Sequence, residues 1–131
     1  RTTVVSSKNA LFEAWDNDIV PIVDIPTTIP SLRFQRYGMD SGAAYLCGEL
    51  GVREMVKLTD VDGVMDSNGI VIPHLTYREA MCMGQTCVDE GAASVMEEYD
   101  VTCYVVNGKD DSQIKKFLAG EPYLSTKIGV K

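Results

Sequence analysis

The sequence predicts an α/β fold, a three-layer α-β-α arrangement built on a mainly parallel sheet. Strand-sized apolar runs alternate with helical patterns from end to end, at residues 3–5, 19–23, 55–58 and 102–106. Those runs show little polar alternation inside them, which marks strands covered on both faces. Each helical stretch between them carries its own start and stop residues, the order expected of β-α-β units.

The elements follow in turn. Thr3-Val4-Val5 reads as the first strand, and Ser6-Ser7 can cap a helix from near Asn9, where Ala10, Leu11, Ala14 and Trp15 recur at helical spacing. Residues 19–23 form the second strand. From Asp24 to Gly38 no period holds, and Pro26, Pro30, Arg33 and Arg36 mark a long loop of the kind that carries function. Met39-Asp40-Ser41-Gly42 opens the next helix, with Asp40 or Ser41 as its cap. Ala43, Ala44, Leu46, Cys47 and Leu50 make its buried stripe, and Gly51 ends it in a left-handed turn.

The strand at 55–58 leads into a turn region at 61–69 and a brief extended piece at Val71-Ile72. Thr76 then caps a short helix through Met83, with Glu79 at the capping-box position and Gly84 as breaker. A helix follows over about 88–99, where Gly91, Ala92 and Ala93 allow close packing. The strand at 102–106 stops at Asn107-Gly108, and Asp111 or Ser112 caps a helix bearing Ile114, Phe117 and Leu118. Gly120 and Pro122 stop that helix, and residues 123–130 close the chain as a strand.

Composition narrows the class. A chain of 131 residues is enough for one ordinary domain and too few for two. Its make-up, 45% apolar and 24% charged, is typical of a soluble globular protein able to build a core. Its net charge of −7 argues against general affinity for nucleic acid or anionic membrane, while leaving room for a small phosphorylated ligand. No apolar run is long enough to span a membrane, and no signal-peptide pattern opens the chain. Cys47, Cys82, Cys87 and Cys103 lie in hydrophobic stretches without CxxC spacing and read as buried free thiols of a reducing cytoplasm. His74, next to Pro73, reads as a surface or capping residue, and no metal-ligand set accompanies it. The six methionines read as core fillers, and Trp15 with Phe12 as core or interface.

The chemistry gathers after the strand at 55–58, which breaks into Thr59-Asp60-Val61-Asp62-Gly63. Ligands of open α/β sheets bind beyond the carboxyl ends of strands. A hydroxyl, carboxylates and a glycine there suit a polyphosphate or its metal ion. Each residue also has a structural role open to it: Asp40 as a helix cap, Asp62-Gly63 as a turn, Asp89 as a carboxylate favouring a helix start. Arg33 and Arg36, basic residues in a long loop of an acidic chain, suit an anion clamp.

In order, four motifs resemble the carboxyl-terminal half of the amino acid kinase family, and its uridylate (UMP) kinase branch most closely. They are Asp40-Ser41-Gly42-Ala43-Ala44 at a helix start, and Thr59-Asp60-Val61-Asp62-Gly63-Val64 after a strand. Leu75-Thr76-Tyr77-Arg78-Glu79 leading to Val88-Asp89 is the third, and Tyr104-Val105-Val106-Asn107 with a helix ending Ala119-Gly120-Glu121 is the fourth. The resemblance spans nearly the whole chain. It implies an ATP-dependent phosphotransferase acting with Mg²⁺ on a small phosphate acceptor, in a homo-oligomer. It also implies that residues 1–131 are the ATP-binding half of a domain whose amino-terminal half, with its glycine-rich loop and catalytic lysine, is not seen in this sequence.

On that resemblance, Asp40 and Asp89 are the catalytic acidic pair. Thr59, Asp62, Gly63, Met65 and Asn68 contact the nucleotide, and the 32–39 loop, with Arg33, Arg36 and Tyr37, holds the acceptor's phosphate. Asp40-x-Gly42-Ala43 and Val106-Asn107-Gly108 also resemble the molybdenum storage protein subunits. That resemblance implies a non-catalytic nucleotide-binding storage protein on the same scaffold. A degenerate regulatory half-domain is the remaining alternative.

Overall fold

The computed structural model describes residues 1–25, 38–84 and 86–130. The elements run β1 (Thr2–Val5), α1 (Lys8–Asp16), β2 (Val20–Val23), α2 (Met39–Glu49), β3 (Glu54–Thr59) and β4 (His74–Leu75). They continue with α3 (Tyr77–Cys82), α4 (Ala92–Tyr99), β5 (Thr102–Asn107), α5 (Asp111–Ala119) and β6 (Thr126–Ile128). The fold is α-β-α with a mostly parallel sheet, as the alternation of runs predicts.

Among the described residues the strands form two groups. β1 pairs in parallel with β2, and a four-stranded sheet has the order β3-β5-β6-β4. β3–β5 and β4–β6 are parallel, whereas β5–β6 is antiparallel. Aligned residues of paired strands point to the same side. The β3–β5 register therefore places Met55, Lys57 and Thr59 on the side of Cys103, Val105 and Asn107. The main core lies on this side. Val105, Cys103, Met96, Ala92, Val64 and Ile128 are sealed from solvent there. A smaller core joins Val5, Leu11, Ala14 and Leu46, and Tyr45 packs against both clusters.

Local signals explain most boundaries. Ser7 accepts from the Ala10 N–H at 3.2 Å and caps α1. Thr76 and Glu79 make the reciprocal capping box that their spacing predicts. α2 ends as expected, with Gly51 left-handed at φ +70°.

Several boundaries differ from expectation. α4 begins at Ala92 rather than near Val88, because Gly91 sits left-handed (φ 90°) and residues 86–91 turn before the helix can start. The cap of α5 is Asp110, whose carboxylate accepts from the Ser112 N–H at 2.9 Å. The last strand shrinks to Thr126–Ile128, the stretch that finds partners in β4 and β5. His74, expected at the surface or as a cap, lies half-buried in β4 with its Nε2 buried and unpartnered. Cys82 is exposed, and of the methionines Met39, Met65 and Met81 are exposed while Met96 is buried. Phe12 and Trp15 meet edge to face, and both are partly exposed.

Candidate functional site

The candidate site forms where β3, the start of α2 and the turn before α4 come together. Gly38, at φ +96°, is the N-cap of α2 and has no side chain to offer. Asp89 fills that place from the far turn. Its Oδ2 accepts from the backbone N–H groups of Asp40 (2.6 Å) and Ser41 (3.1 Å), and its Oδ1 from the Ser41 hydroxyl (2.5 Å). A carboxylate at a helix start satisfies orphan amides and favours the macrodipole. Neither Asp40 nor Ser41 is the cap, although the sequence offered both.

Asp40 returns the contact. Its Oδ2 accepts from the Asp89 N–H at 2.9 Å, and its Oδ1 accepts from Lys57 Nζ at 2.7 Å. Lys57 rises from β3 on the core side, two residues before Thr59. The side chains of Lys57 and Asp40 are 30% and 16% exposed, so this ion pair is more shielded than the surface pair Lys109–Asp60 at 3.8 Å. Screening weakens as water is excluded, and the Lys57–Asp40 pair is the stronger electrostatic element.

Beyond the end of β3 an open cleft of about 550 Å³ is lined by Thr59, Asp60, Val61, Gly63, Met65, Gly84, Thr86, Cys87 and Val88. Small-molecule sites typically measure about 300–1,000 Å³. The cleft adjoins the Asp40–Asp89–Lys57 group along the chain: Val88 directly precedes Asp89, and Thr59 lies two residues beyond Lys57 on the same side of β3. Its floor is stiff. The Gly108 N–H donates to the Thr59 carbonyl at 2.7 Å, and Asn107 Nδ2 donates to Asp62 Oδ1 at 2.9 Å, so the ends of β3 and β5 are tied together. A Cβ on Gly63 would lie 2.7 Å from Thr126 Oγ1 and 2.8 Å from a Val71 methyl, which leaves room for glycine alone. Burial pushes the Cys87 thiol up from its ordinary pKa, with the nearby Asp60 carboxylate adding to the effect.

The residues singled out from sequence thus fall into distinct places. Asp40 and Asp89 meet directly; Thr59, Gly63 and Met65 line the cleft. Asp62 braces the turn through Asn107, and Asn68 belongs to a tight turn in which its N–H donates to Asp66 Oδ1 at 2.8 Å. Neither lines the cleft as described. Arg33, Arg36 and Tyr37, with most of the 32–39 loop, lie outside the described residues. Lys57 is the addition: sequence reading passed over it inside an apolar strand. The available signal was a lysine inside an otherwise apolar strand, since an ammonium partly withdrawn from water calls for a carboxylate partner.

A family model described as "Amino acid kinase family" matches residues 1–107. The chain belongs to the amino acid kinase family. Within it the similarity runs to the uridylate kinases. That of Thermotoga petrophila is 34% identical over 95 residues, covering 68% of this chain and 41% of the relative. A [5-(aminomethyl)furan-3-yl]methyl phosphate kinase of Methanocaldococcus jannaschii is 32% identical over 91 residues, covering 68% and 41%. In three dimensions the UMP kinase of Ureaplasma parvum superposes with a TM-score of 0.76 at 23% identity, covering 95% of this chain and 53% of that one. The chain therefore spans about half the length of the family members it matches.

Proposed function

We propose that this chain is the nucleotide-binding part of an ATP-dependent phosphotransferase of the UMP kinase type, passing a phosphoryl group to a nucleoside monophosphate or similar small phosphate acceptor. One observation carries the reading: a shielded lysine, Lys57, held at 2.7 Å by Asp40 beside the cleft at the end of β3. Phosphoryl transfer asks a protein mainly for positioning and charge neutralisation. The acceptor oxygen attacks the γ-phosphorus, the bond from that phosphorus to the bridging oxygen breaks, and ADP leaves.

In this scheme the cleft takes the nucleotide, with the Thr59 hydroxyl at its phosphate end and Met65 against its apolar part. Lys57 offers its ammonium to the oxygens of the group in transit, and Asp40 keeps that ammonium aimed. Arg33, Arg36 and Tyr37 are proposed to hold the acceptor's phosphate. A protein-held Mg²⁺ does not fit the Asp40–Asp89 pair. Asp89 already takes donors from Asp40 and Ser41, and Lys57 already neutralises Asp40. Among the described residues no group of three or more His, Cys, Asp and Glu side chains could hold a metal ion.

The test is ADP release by the full-length protein with Mg-ATP and a panel of nucleoside monophosphates. Turnover is expected only with an acceptor present. Removing one transition-state donor costs about 10²–10³ in kcat, and Lys57→Ala is expected to fall in that range, with Asp40→Asn close behind. Nucleotide binding without turnover under any acceptor would favour the storage or regulatory alternative on the same scaffold.

A further inference from the structure

We infer that Asp89 is a positioning residue, acting by holding Asp40 and Lys57 in place through the hydrogen bonds it accepts, and not by offering its charge to phosphate or metal. The inference rests on the phosphotransferase reading, which makes Lys57 and Asp40 worth positioning, and on contacts that stand apart from it. Three donors converge on Asp89: the Asp40 N–H, the Ser41 N–H and the Ser41 hydroxyl. The Asp89 N–H is in turn held by Asp40 Oδ2. The two aspartates thus clamp each other backbone to side chain, across 49 residues of sequence.

The consequence lies in the freedom left to Asp40. With one oxygen fixed on the Asp89 N–H and its own N–H fixed on the Asp89 carboxylate, Asp40 presents its second oxygen to Lys57 in a single place. Gly38 is part of the device. A Cβ there would stand 2.8 Å from Asp89 Oδ2, on a backbone at φ +96° that L side chains rarely adopt. Glycine at this cap lets a carboxylate from a distant turn do what a local Asp or Ser does in most helices.

An amide can replace a carboxylate as an acceptor without its charge, so Asp89→Asn and Asp89→Ala separate the two roles. In Asp89→Asn the amide oxygen can take both N–H donors, and its NH₂ can donate to a reoriented Ser41 hydroxyl. That variant is expected to keep kcat within about threefold. Asp89→Ala is expected to lose about 10²-fold in kcat, with KM little changed, because misplacing a catalytic group by about 1 Å costs that much. Gly38→Ala should lower kcat in the same way, and the Gly38→Ala/Asp89→Ala double variant should fall little below either alone.

Two measurements do not depend on turnover. Hydrogen exchange of the Asp40 and Ser41 amides should stay slow in Asp89→Asn and quicken in Asp89→Ala. Acetylation of the Lys57 amine should quicken in the alanine variant only. Should Asp89→Ala fail to fold, Ser41→Ala removes one of the three donors and is expected to quicken the same Lys57 acetylation. An Asp89→Asn enzyme as crippled as the alanine variant, with its amides still protected, would overturn the inference, since charge alone would then be missing. So would unchanged exchange and acetylation in Asp89→Ala. A full-length protein with no phosphotransfer at all defeats the phosphotransferase reading, while exchange and acetylation still decide whether Asp89 positions Asp40 and Lys57.

Discussion

At the scale of single residues, Thr126 shows how one hydroxyl can hold a turn. It is fully buried, its Oγ1 accepts from the Val64 N–H at 2.8 Å, and the same hydroxyl donates to the Ile72 carbonyl at 2.7 Å. Both ends of the 64–72 loop, which carries Met65 to the cleft, are therefore fastened to β6. Thr126→Val preserves shape but strands the buried Val64 N–H, a loss of about 1–3 kcal/mol. Thr126→Ser keeps the hydroxyl and gives up a methyl, about 0.8 kcal/mol. Urea unfolding of the two variants should rank valine well below serine; equal losses would mean that the methyl, not the hydrogen bonds, matters. The thiols offer a second check. Burial, with the nearby Asp40 carboxylate adding to it, pushes the Cys103 pKa up to about 12, whereas Cys82 is exposed. Near neutral pH a thiol reagent should modify Cys82 in the native protein and reach Cys103 only after unfolding, because the thiolate is the reactive form.

At the scale of elements, α3 depends on its capping box. It has only six residues, so few intrahelical bonds support it, and its start is held by Glu79 N–H to Thr76 Oγ1 at 3.2 Å and Thr76 N–H to Glu79 Oε2 at 2.7 Å. Thr76→Ala should cost about 1 kcal/mol in urea unfolding, with Thr76→Ser close to the parent protein. This element was legible in the sequence because its whole signal is local, a Thr and a Glu three residues apart. α2 was legible in its span and not in its cap, because the capping carboxylate lies in a turn whose approach no local pattern encodes. The same limit hid Lys57, whose strand reads as apolar by composition while its charge is answered by Asp40 from another element. Asp62 and Asn68 are placed at the nucleotide by resemblance alone; in the structure Asp62 accepts from Asn107 at the end of β5, and the Asn68 N–H donates to Asp66 within its own turn.

At the scale of the whole molecule, the β1–β2 pair is apolar on a side that the described residues leave bare. The register Thr2↔Val20 and Val4↔Ile22 puts Val4, Val20 and Ile22 together on one face, and they are 67%, 62% and 53% exposed. The opposite face is covered, with Val5 buried against Leu11 and Ala14 of α1. On β3, Val56 and Leu58 are likewise exposed, on the side away from Lys57. Parallel strands are normally covered on both faces, and contiguous apolar surface of this kind marks a site of association. The 131-residue chain studied by itself should therefore bind an apolar dye and self-associate at low micromolar concentration in sedimentation velocity. Val4→Thr, Val20→Thr and Ile22→Thr together replace the exposed apolar side chains with β-branched polar ones that strands accept, and should restore a monomer. A parent chain already sharply monomeric and silent to dye would show that these side chains are covered in solution, and the bare face would no longer call for a partner.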